Sequence, residues 1–169
     1  KVIIAALNKT GESFKFIKNK TYDVIKYACN LDPTLLGYVI NPFDDQIVIK
    51  YEDIIMDVLK RKGILLKLIP VTLQTSDMCM TAIDNDAYAV EHMNPKFITN
   101  DLSLKLVRKN GVLLKLIPNQ TPEICLEAIK NNPLAMYYVT DQTEELCDQA
   151  IDLNYTTIAH IRKPSGELC

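Results

Sequence analysis

The sequence lacks tryptophan and has only two histidines and five glycines among its 169 residues. So few glycines leave little room for a glycine-rich phosphate-binding loop. No apolar segment approaches the roughly 20 residues that a membrane span needs, because charges interrupt every hydrophobic stretch, and no signal-peptide pattern opens the chain. The net charge of −2 gives no general attraction for nucleic acid or an anionic membrane. We therefore expect neither as a partner.

The five cysteines are an odd number, and the chain is 48 % hydrophobic. A chain of this length and composition can bury a core without disulfide staples, so the cysteines do not indicate a disulfide framework. We expect them to be reduced, as in an intracellular protein.

Short segments recur along the chain. The segment that starts at Thr121 matches the one that starts at Thr143, and Leu113–Pro118 repeats Leu65–Pro70. Extending this register places repeat starts at Thr21, Tyr51, Thr75, Thr99, Thr121, Thr143 and Ser165. The third place of every repeat is acidic, at Asp23, Asp53, Asp77, Asp101, Glu123, Glu145 and Glu167. Acids are 21 of the 169 residues, so chance would give this run roughly once in a million trials.

Each repeat has the features of two short helices. Threonine at the first place predicts a helix N-cap, and the acid at the third place lies in the first turn, where the helix dipole favours it. Apolar residues at the fourth, fifth, eighth and ninth places share one helix face. The twelfth place predicts a second N-cap, at Thr10, Asp32, Asp86, Asn110, Asn132 and Asn154, with Lys62 as the exception.

Helices this short cannot cover their own apolar faces, so repeats must stack on their neighbours. The strict register favours an all-α solenoid of tandem helix–turn–helix repeats of about 22–24 residues over a closed bundle with similar helices. We interpret residues 1–169 as a single repeat array with partial repeats at both ends. Ser165–Cys169 matches Thr143–Cys147, and the chain opens at Lys1 rather than at methionine. We therefore expect the array to continue beyond both ends.

The repeat that starts at Thr21 is longer than the others, and its extra residues fall in the segment 41–50. Asn41-Pro42 and Asp44-Asp45 predict a loop, and the residues that follow have a strand-like composition. A surface insertion is the simpler interpretation, and a binding loop is the alternative.

The repeat pattern at Thr121–Val139 resembles a known family of short α-helical repeats of unknown function. That family is abundant in large DNA viruses and occurs in Legionella-like bacteria and protists. The resemblance is clearest from Thr75 to Ile161. It implies helical repeats without catalytic residues, and a viral protein placed in the host cytoplasm or within a virion.

Two recurring places carry the candidate core and the candidate binding surface. Cysteine shares the fifth place with isoleucine, which indicates a buried slot. The eighteenth place forms a ladder of mostly large side chains, at Phe16, Tyr38, Leu68, His92, Leu116, Tyr138 and His160. A half-buried packing seam is the simpler interpretation of this ladder. The alternative is a partner-binding stripe at Tyr38, Leu68, His92, Leu116, Tyr138 and His160.

The eighth place holds alanine at Ala6, Ala28, Ala82, Ala128 and Ala150, which predicts a tight contact between helices. Lysines recur at the seventeenth place, at Lys15, Lys67 and Lys115, but Glu91 and Tyr137 interrupt them, which favours a solvated face over a nucleic-acid ladder. The two histidines lie three repeats apart, too far to share a metal ion.

We predict no catalytic, cofactor or metal site, and therefore not an enzyme. The leading hypothesis is a structural or protein–protein interaction scaffold with a protein partner. The alternative is a repeat domain attached to an enzyme or a nucleic-acid-binding module elsewhere in a longer protein.

Overall fold

The computed structural model describes residues 2–9, 11–41 and 45–162. Every regular element in these ranges is an α-helix or a 3₁₀-helix, and no strand occurs among them. The all-α prediction is therefore confirmed. The chain divides into two compact units, Lys1–Phe97 and Ile98–Cys169, and the boundary lies one residue before the repeat start at Thr99.

The described residues of the N-terminal unit form five α-helices and six 3₁₀-helices. The α-helices are α1 (Val2–Lys9), α2 (Tyr22–Leu31), α3 (Asp45–Lys50), α4 (Glu52–Arg61) and α5 (Ser76–Asn85). The 3₁₀-helices are η1 (Gly11–Phe16), η2 (Pro33–Tyr38), η3 (Gly63–Leu68), η4 (Val71–Leu73), η5 (Ala87–His92) and η6 (Pro95–Phe97). Within this unit, α5 packs beside α4, and η5 packs beside η3.

The described part of the C-terminal unit, which ends at Arg162, contains three regular repeats. Its α-helices are α6 (Asn100–Lys109), α7 (Pro122–Asn131) and α8 (Glu144–Leu153), and each is followed by a 3₁₀-helix, η7 (Gly111–Leu116), η8 (Pro133–Tyr138) or η9 (Tyr155–His160). Successive first helices pack together, and so do successive second helices. This side-by-side arrangement agrees with a solenoid within the unit, and a single array over residues 1–169 stays a prediction.

The predicted N-caps set the helix boundaries. The hydroxyls of Thr75, Thr99, Thr121 and Thr143 each accept a backbone N–H three residues on, at 3.2–3.3 Å. The twelfth-place side chains each accept the N–H two residues on, at Asp32, Asp86, Asn110, Asn132 and Asn154. Thr21, Tyr51 and Lys62 make no side-chain cap bond. The second helices therefore begin where the register predicts, and they take the tighter 3₁₀ form.

The loop and strand predicted in the segment 41–50 are wrong for residues 45–50. These residues form α3, which packs against α4 and buries Val48. Strand propensity depends on neighbouring strands to pair with, and the described residues contain none. Residues 42–44, the partial repeat at Ser165–Cys169 and the cap at Thr10 lie outside the described residues.

The eighth-place alanines are fully buried at Ala28, Ala82, Ala128 and Ala150. Ala6, however, is exposed. The carbonyls of Ala82 and Ala128 lie against Gly63 and Gly111, which belong to the preceding repeat. The eighth place thus faces the repeat before it. The first helix described is α1, which packs against η1 and α2, so no described repeat precedes Ala6. The prediction of a tight contact is therefore wrong at Ala6.

Candidate functional site

The fifth-place cysteines lie where the sequence predicts. Cys79 and Cys125 are buried and Cys147 is partly buried, while Cys169 lies outside the described residues. The four described cysteines are free thiols. Burial raises the pKa of the Cys125 thiol to about 11, so it stays protonated near neutral pH. Since the thiolate is the reactive form, these side chains act as core hydrophobes.

The eighteenth-place side chains lie on the second helices and differ in exposure. Leu68, His92, Leu116, Tyr138 and His160 are half-buried, whereas Tyr38 is 51 % and Phe16 is 76 % exposed. The first three of the six stripe residues lie in the N-terminal unit and the other three in the C-terminal unit. The Tyr138 ring packs edge-on against that of Tyr137, with centroids 5.3 Å apart. Tyr137 itself is 65 % exposed, so this pair offers aromatic surface to solvent.

A recurring glutamine fixes the ends of these second helices. Gln120 directly precedes the repeat start at Thr121, and its Nε2 donates to the Leu114 carbonyl at 3.0 Å and to the Tyr138 carbonyl at 3.1 Å. Its Oε1 accepts the N–H of Thr140 at 2.9 Å. One amide thus joins the end of its own repeat to the end of the next.

The same bonds recur at the two other glutamines that precede a repeat start. Gln74 donates to the carbonyls of Ile69 and His92 and accepts the N–H of Asn94. Gln142 donates to the carbonyls of Met136 and His160 and accepts the N–H of Arg162. We call these three residues the glutamine bridges. Their recurrence before Thr75, Thr121 and Thr143 was a detectable pattern in the sequence, although their contacts were not.

A second contact between repeats joins a glycine to an asparagine. The N–H of Gly111 donates to Asn131 Oδ1 at 2.7 Å, and Asn131 Nδ2 donates to the Arg108 carbonyl at 2.9 Å. A Cβ at Gly111 would lie 2.3 Å from the carbonyl oxygen of Ala128. Gly63 and Asn85 make the equivalent pair. Gly63 and Gly111 hold the thirteenth place of their repeats. Only glycine fits there when the backbone carbonyl of the next repeat approaches this closely.

One departure from the regular repeat is a groove of about 400 Å³ in the N-terminal unit. Lys20 and Lys50 line it together with the phenolic side chains of Tyr38 and Tyr51 and the amide of Gln46. Ile25, Val39 and Ile47 provide its apolar surface. No aspartate or glutamate is among the described residues that line it. We call this feature the lysine groove.

Both lysines of the groove directly precede a repeat start, at Thr21 and Tyr51, which is the place of the glutamine bridges. Lys20 Nζ donates to the Ile17 carbonyl at 2.8 Å and lies 5.3 Å from the centre of the Phe14 ring. An ammonium group has no acceptor, so Lys20 cannot take the N–H that a glutamine bridge accepts. The corresponding N–H, at Ile40, donates instead to the Leu36 carbonyl at 3.1 Å.

The equivalent junction at Gln120 is almost closed. Its cavity measures about 80 Å³, and three of its lining residues, Gln120, Cys125 and Thr143, hold the places that Lys20, Ile25 and Tyr51 hold in the lysine groove. Ile25 takes the fifth place in the lysine groove, as Cys125 does here. The groove is thus an enlarged repeat junction, which α3 widens and two lysines line. Sequence reasoning singled out Tyr38 and the segment 41–50 separately, and the fold brings them together.

A cluster of aromatic rings and charged side chains lies next to the groove and includes its lining residue Tyr51. The Tyr22 and Tyr51 rings stack with centroids 6.4 Å apart, and the Tyr22 hydroxyl donates to the Asp53 carboxylate. Lys26 Nζ lies 3.6 Å from the same carboxylate. The Tyr22 hydrogen bond, with a smaller contribution from Lys26, lowers the pKa of Asp53. These contacts hold the start of α4 beside the start of α2.

Comparisons with known proteins support part of this description. Residues 100–146 match a family model described as a domain of unknown function, DUF4116. The match runs from the start of α6 into the first turn of α8. Curated proteins and solved structures give no match to the chain.

The described residues contain no group of three or more His, Cys, Asp or Glu side chains that could hold a metal ion. None of their helices combines the length and apolar character that crossing a bilayer requires.

Proposed function

We propose that this chain is a non-catalytic scaffold that binds another protein through its second helices. The observation that carries this proposal is the exposed aromatic pair Tyr137–Tyr138 on a backbone that Gln120 holds in place. Protein interfaces are enriched in large aromatic side chains, and ordering them before binding lowers the entropic cost of association. The proposed contact surface of each unit is its part of the six-residue stripe, which is Tyr38, Leu68 and His92 in the N-terminal unit and Leu116, Tyr138 and His160 in the C-terminal unit.

Charge supports a protein partner over nucleic acid. The exposed lysines of the seventeenth place, Lys67 and Lys115, are separated along the chain by the acidic Glu91. Phosphate binding needs clustered lysine and arginine, and the net charge here is −2. The resemblance to helical repeats of large DNA viruses supports placing the protein in a virion or in the host cytoplasm.

The test uses pull-downs and a salt titration with the intact chain. A variant carrying both Tyr138→Ala and Leu116→Ala should recover its partner poorly, since the loss of a central anchor typically costs about 2 kcal/mol. A variant carrying Lys67→Ala, also on a second helix but outside the stripe, is the control. Circular dichroism checks that each variant keeps its helical content.

Two results would contradict the proposal. Submicromolar binding of single-stranded or duplex nucleic acid that falls steeply with salt would replace the protein partner with a nucleic-acid one. Unchanged recovery by the folded double variant would remove the stripe as the contact surface.

A further inference from the structure

We infer that the lysine groove binds an acidic segment of a partner protein, with carboxylates at Lys20 and Lys50 and an aliphatic side chain between them. This inference rests on the proposed protein-binding function and names the class of partner. The juxtaposition that carries it is an enlarged repeat junction with a lysine before each of two repeat starts, the place that Gln74, Gln120 and Gln142 hold with a neutral amide.

The size of the groove fits a side-chain-sized ligand and not merely a packing defect. Its volume of about 400 Å³ lies in the range of ligand pockets, and it is about five times the 80 Å³ of the matching junction. The extra volume coincides with α3, which supplies Gln46, Ile47 and Lys50 to one wall. The groove therefore belongs to the inserted segment and not to the repeat in general.

The charge of the groove selects the chemistry of the occupant. Two ammonium groups line it without a carboxylate among its described lining residues. The Lys20 ammonium is positioned by the Ile17 carbonyl and the Phe14 ring, and Lys50 Nζ lies 5.3 Å from the centre of the Tyr51 ring. Each ammonium has three donors, so the single bond of Lys20 to Ile17 leaves it able to meet an anion.

The apolar surface and the open shape favour a peptide over a small anion. Ile47 is only half-buried and leaves apolar surface in the groove that a free carboxylate or phosphate would not use, whereas Ile25 and Val39 are almost fully buried at 1 % and 8 % exposure. The phenols of Tyr38 and Tyr51 can hydrogen-bond to a peptide backbone. Two cations are too few for the counterion release that drives nucleic-acid binding.

The experiment titrates the isotope-labelled intact chain with two short peptides and follows amide chemical shifts. One peptide alternates glutamate with leucine, and its uncharged twin alternates glutamine with leucine. The glutamate peptide should shift the amides of Lys20, Val39, Gln46 and Tyr51. The glutamine twin should bind at least about fivefold more weakly, the size expected of one partly screened ion pair.

Matched variants separate the groove from the rest of the surface. Lys20→Gln installs the residue that Gln74, Gln120 and Gln142 provide at this place, so it should fold normally and weaken glutamate-peptide binding about fivefold. Lys50→Gln should do the same, and the double variant should lose about 25-fold if the two sites act additively. Lys67→Gln removes an exposed lysine of the same unit outside the groove and should leave binding unchanged.

Several outcomes would overturn the inference. These are shifts that avoid the groove, equal binding of both peptides, or full binding by the folded double variant. Equal competition by inorganic phosphate or acetate alone would indicate a simple anion site instead. The stripe variant Tyr138→Ala, Leu116→Ala lies in the other unit, so its result tests the proposed function independently of the groove.

Discussion

The junction at Gln120 and the junction at Lys20 occupy the same place in the repeat but have opposite character. At Gln120 one neutral amide joins two repeats through three hydrogen bonds and leaves a cavity of about 80 Å³. At Lys20 an ammonium makes a bond to its own repeat, and the groove measures about 400 Å³. The same repeat place therefore joins two repeats at Gln120 and lines a surface of distinct chemistry at Lys20, beside the inserted segment.

The same contrast holds for other contacts between repeats. The C-terminal unit joins α6–η7 to α7 through Gly111 and Asn131. At the α2–α4 junction Arg61 instead donates to the carbonyls of Cys29 and Asn30 at the end of α2, at 2.9 and 3.3 Å. The place of Gly111 is taken there by Pro33, which has no N–H to donate to a neighbouring side chain.

The largest expected effect comes from filling a close backbone approach between regular repeats. Gly111→Ala would place a Cβ 2.3 Å from the Ala128 carbonyl oxygen, and backbone atoms must move to accommodate it. We expect a loss of about 3 kcal/mol in the free energy of unfolding, measured by urea denaturation. Gly37→Ala is the control, because its Cβ would meet only Leu68 side-chain atoms at 3.7 Å, and it should change stability by less than about 1 kcal/mol. Equal effects of the two would refute the proposed difference in contact.

The eighth place offers a second test, because Ala128 is buried and Ala6 is exposed. Ala128→Phe should overpack the contact with the preceding repeat and cost about 1–3 kcal/mol. Ala128→Ser should be far milder, and Ala6→Phe should leave the melting temperature almost unchanged. A thermal melt in which phenylalanine is tolerated at Ala128 as well as serine would show that the repeat register is wrong.

These contacts show how far the sequence could predict the fold. Caps such as Thr121 and Asn132 act within three residues, so the periodic pattern alone predicted them and the starts of both helices. The bonds of Gln120 span up to 20 residues, and no local pattern indicates which carbonyl an amide will meet. The sequence wrongly predicted a strand where α3 forms, because isoleucine and valine favour strands only when partner strands exist. The lysine groove needs both the position of α3 and the repeat junction, so only the fold reveals it.

A smaller effect should separate the regular cap from the irregular one. The Thr121 hydroxyl accepts the N–H of Ile124 at 3.3 Å, while Thr21 makes no side-chain cap bond at the same place. Thr121→Ala should therefore cost about 1 kcal/mol of unfolding free energy, and Thr21→Ala should cost clearly less. Chemical denaturation of both variants under identical conditions measures the difference. Similar losses at the two positions would mean that the threonine stabilises the repeat through something other than the cap bond.

The smallest expected effect depends on pH and distinguishes Asp32 from its counterpart Asn132. Asp32 Oδ1 accepts the hydroxyl of Thr34 at 2.7 Å and its N–H at 2.9 Å, and these bonds lower the pKa of Asp32. A carboxylate with a lowered pKa stabilises the fold above its unfolded pKa of about 3.9, and this contribution is lost as the pH falls through the folded pKa. Because Asp32 is exposed, the contribution should be only a few tenths of a kcal/mol. Asn132 makes the equivalent cap without titrating.

Asp32→Asn should therefore remove the part of the pH dependence that belongs to this cap. Melting temperatures of the wild type and the variant, measured from pH 7 down to pH 2.5, should differ most near neutral pH. The two curves should converge, or cross, below the unfolded pKa, because the protonated aspartic acid loses its charge-assisted bonds while asparagine keeps neutral ones. Asn132→Asp is the reverse substitution and should introduce a dependence of the same sign. Parallel curves for all three proteins would show that the cap at Asp32 gains nothing from its charge, and that the two second-helix caps are equivalent despite their different residues.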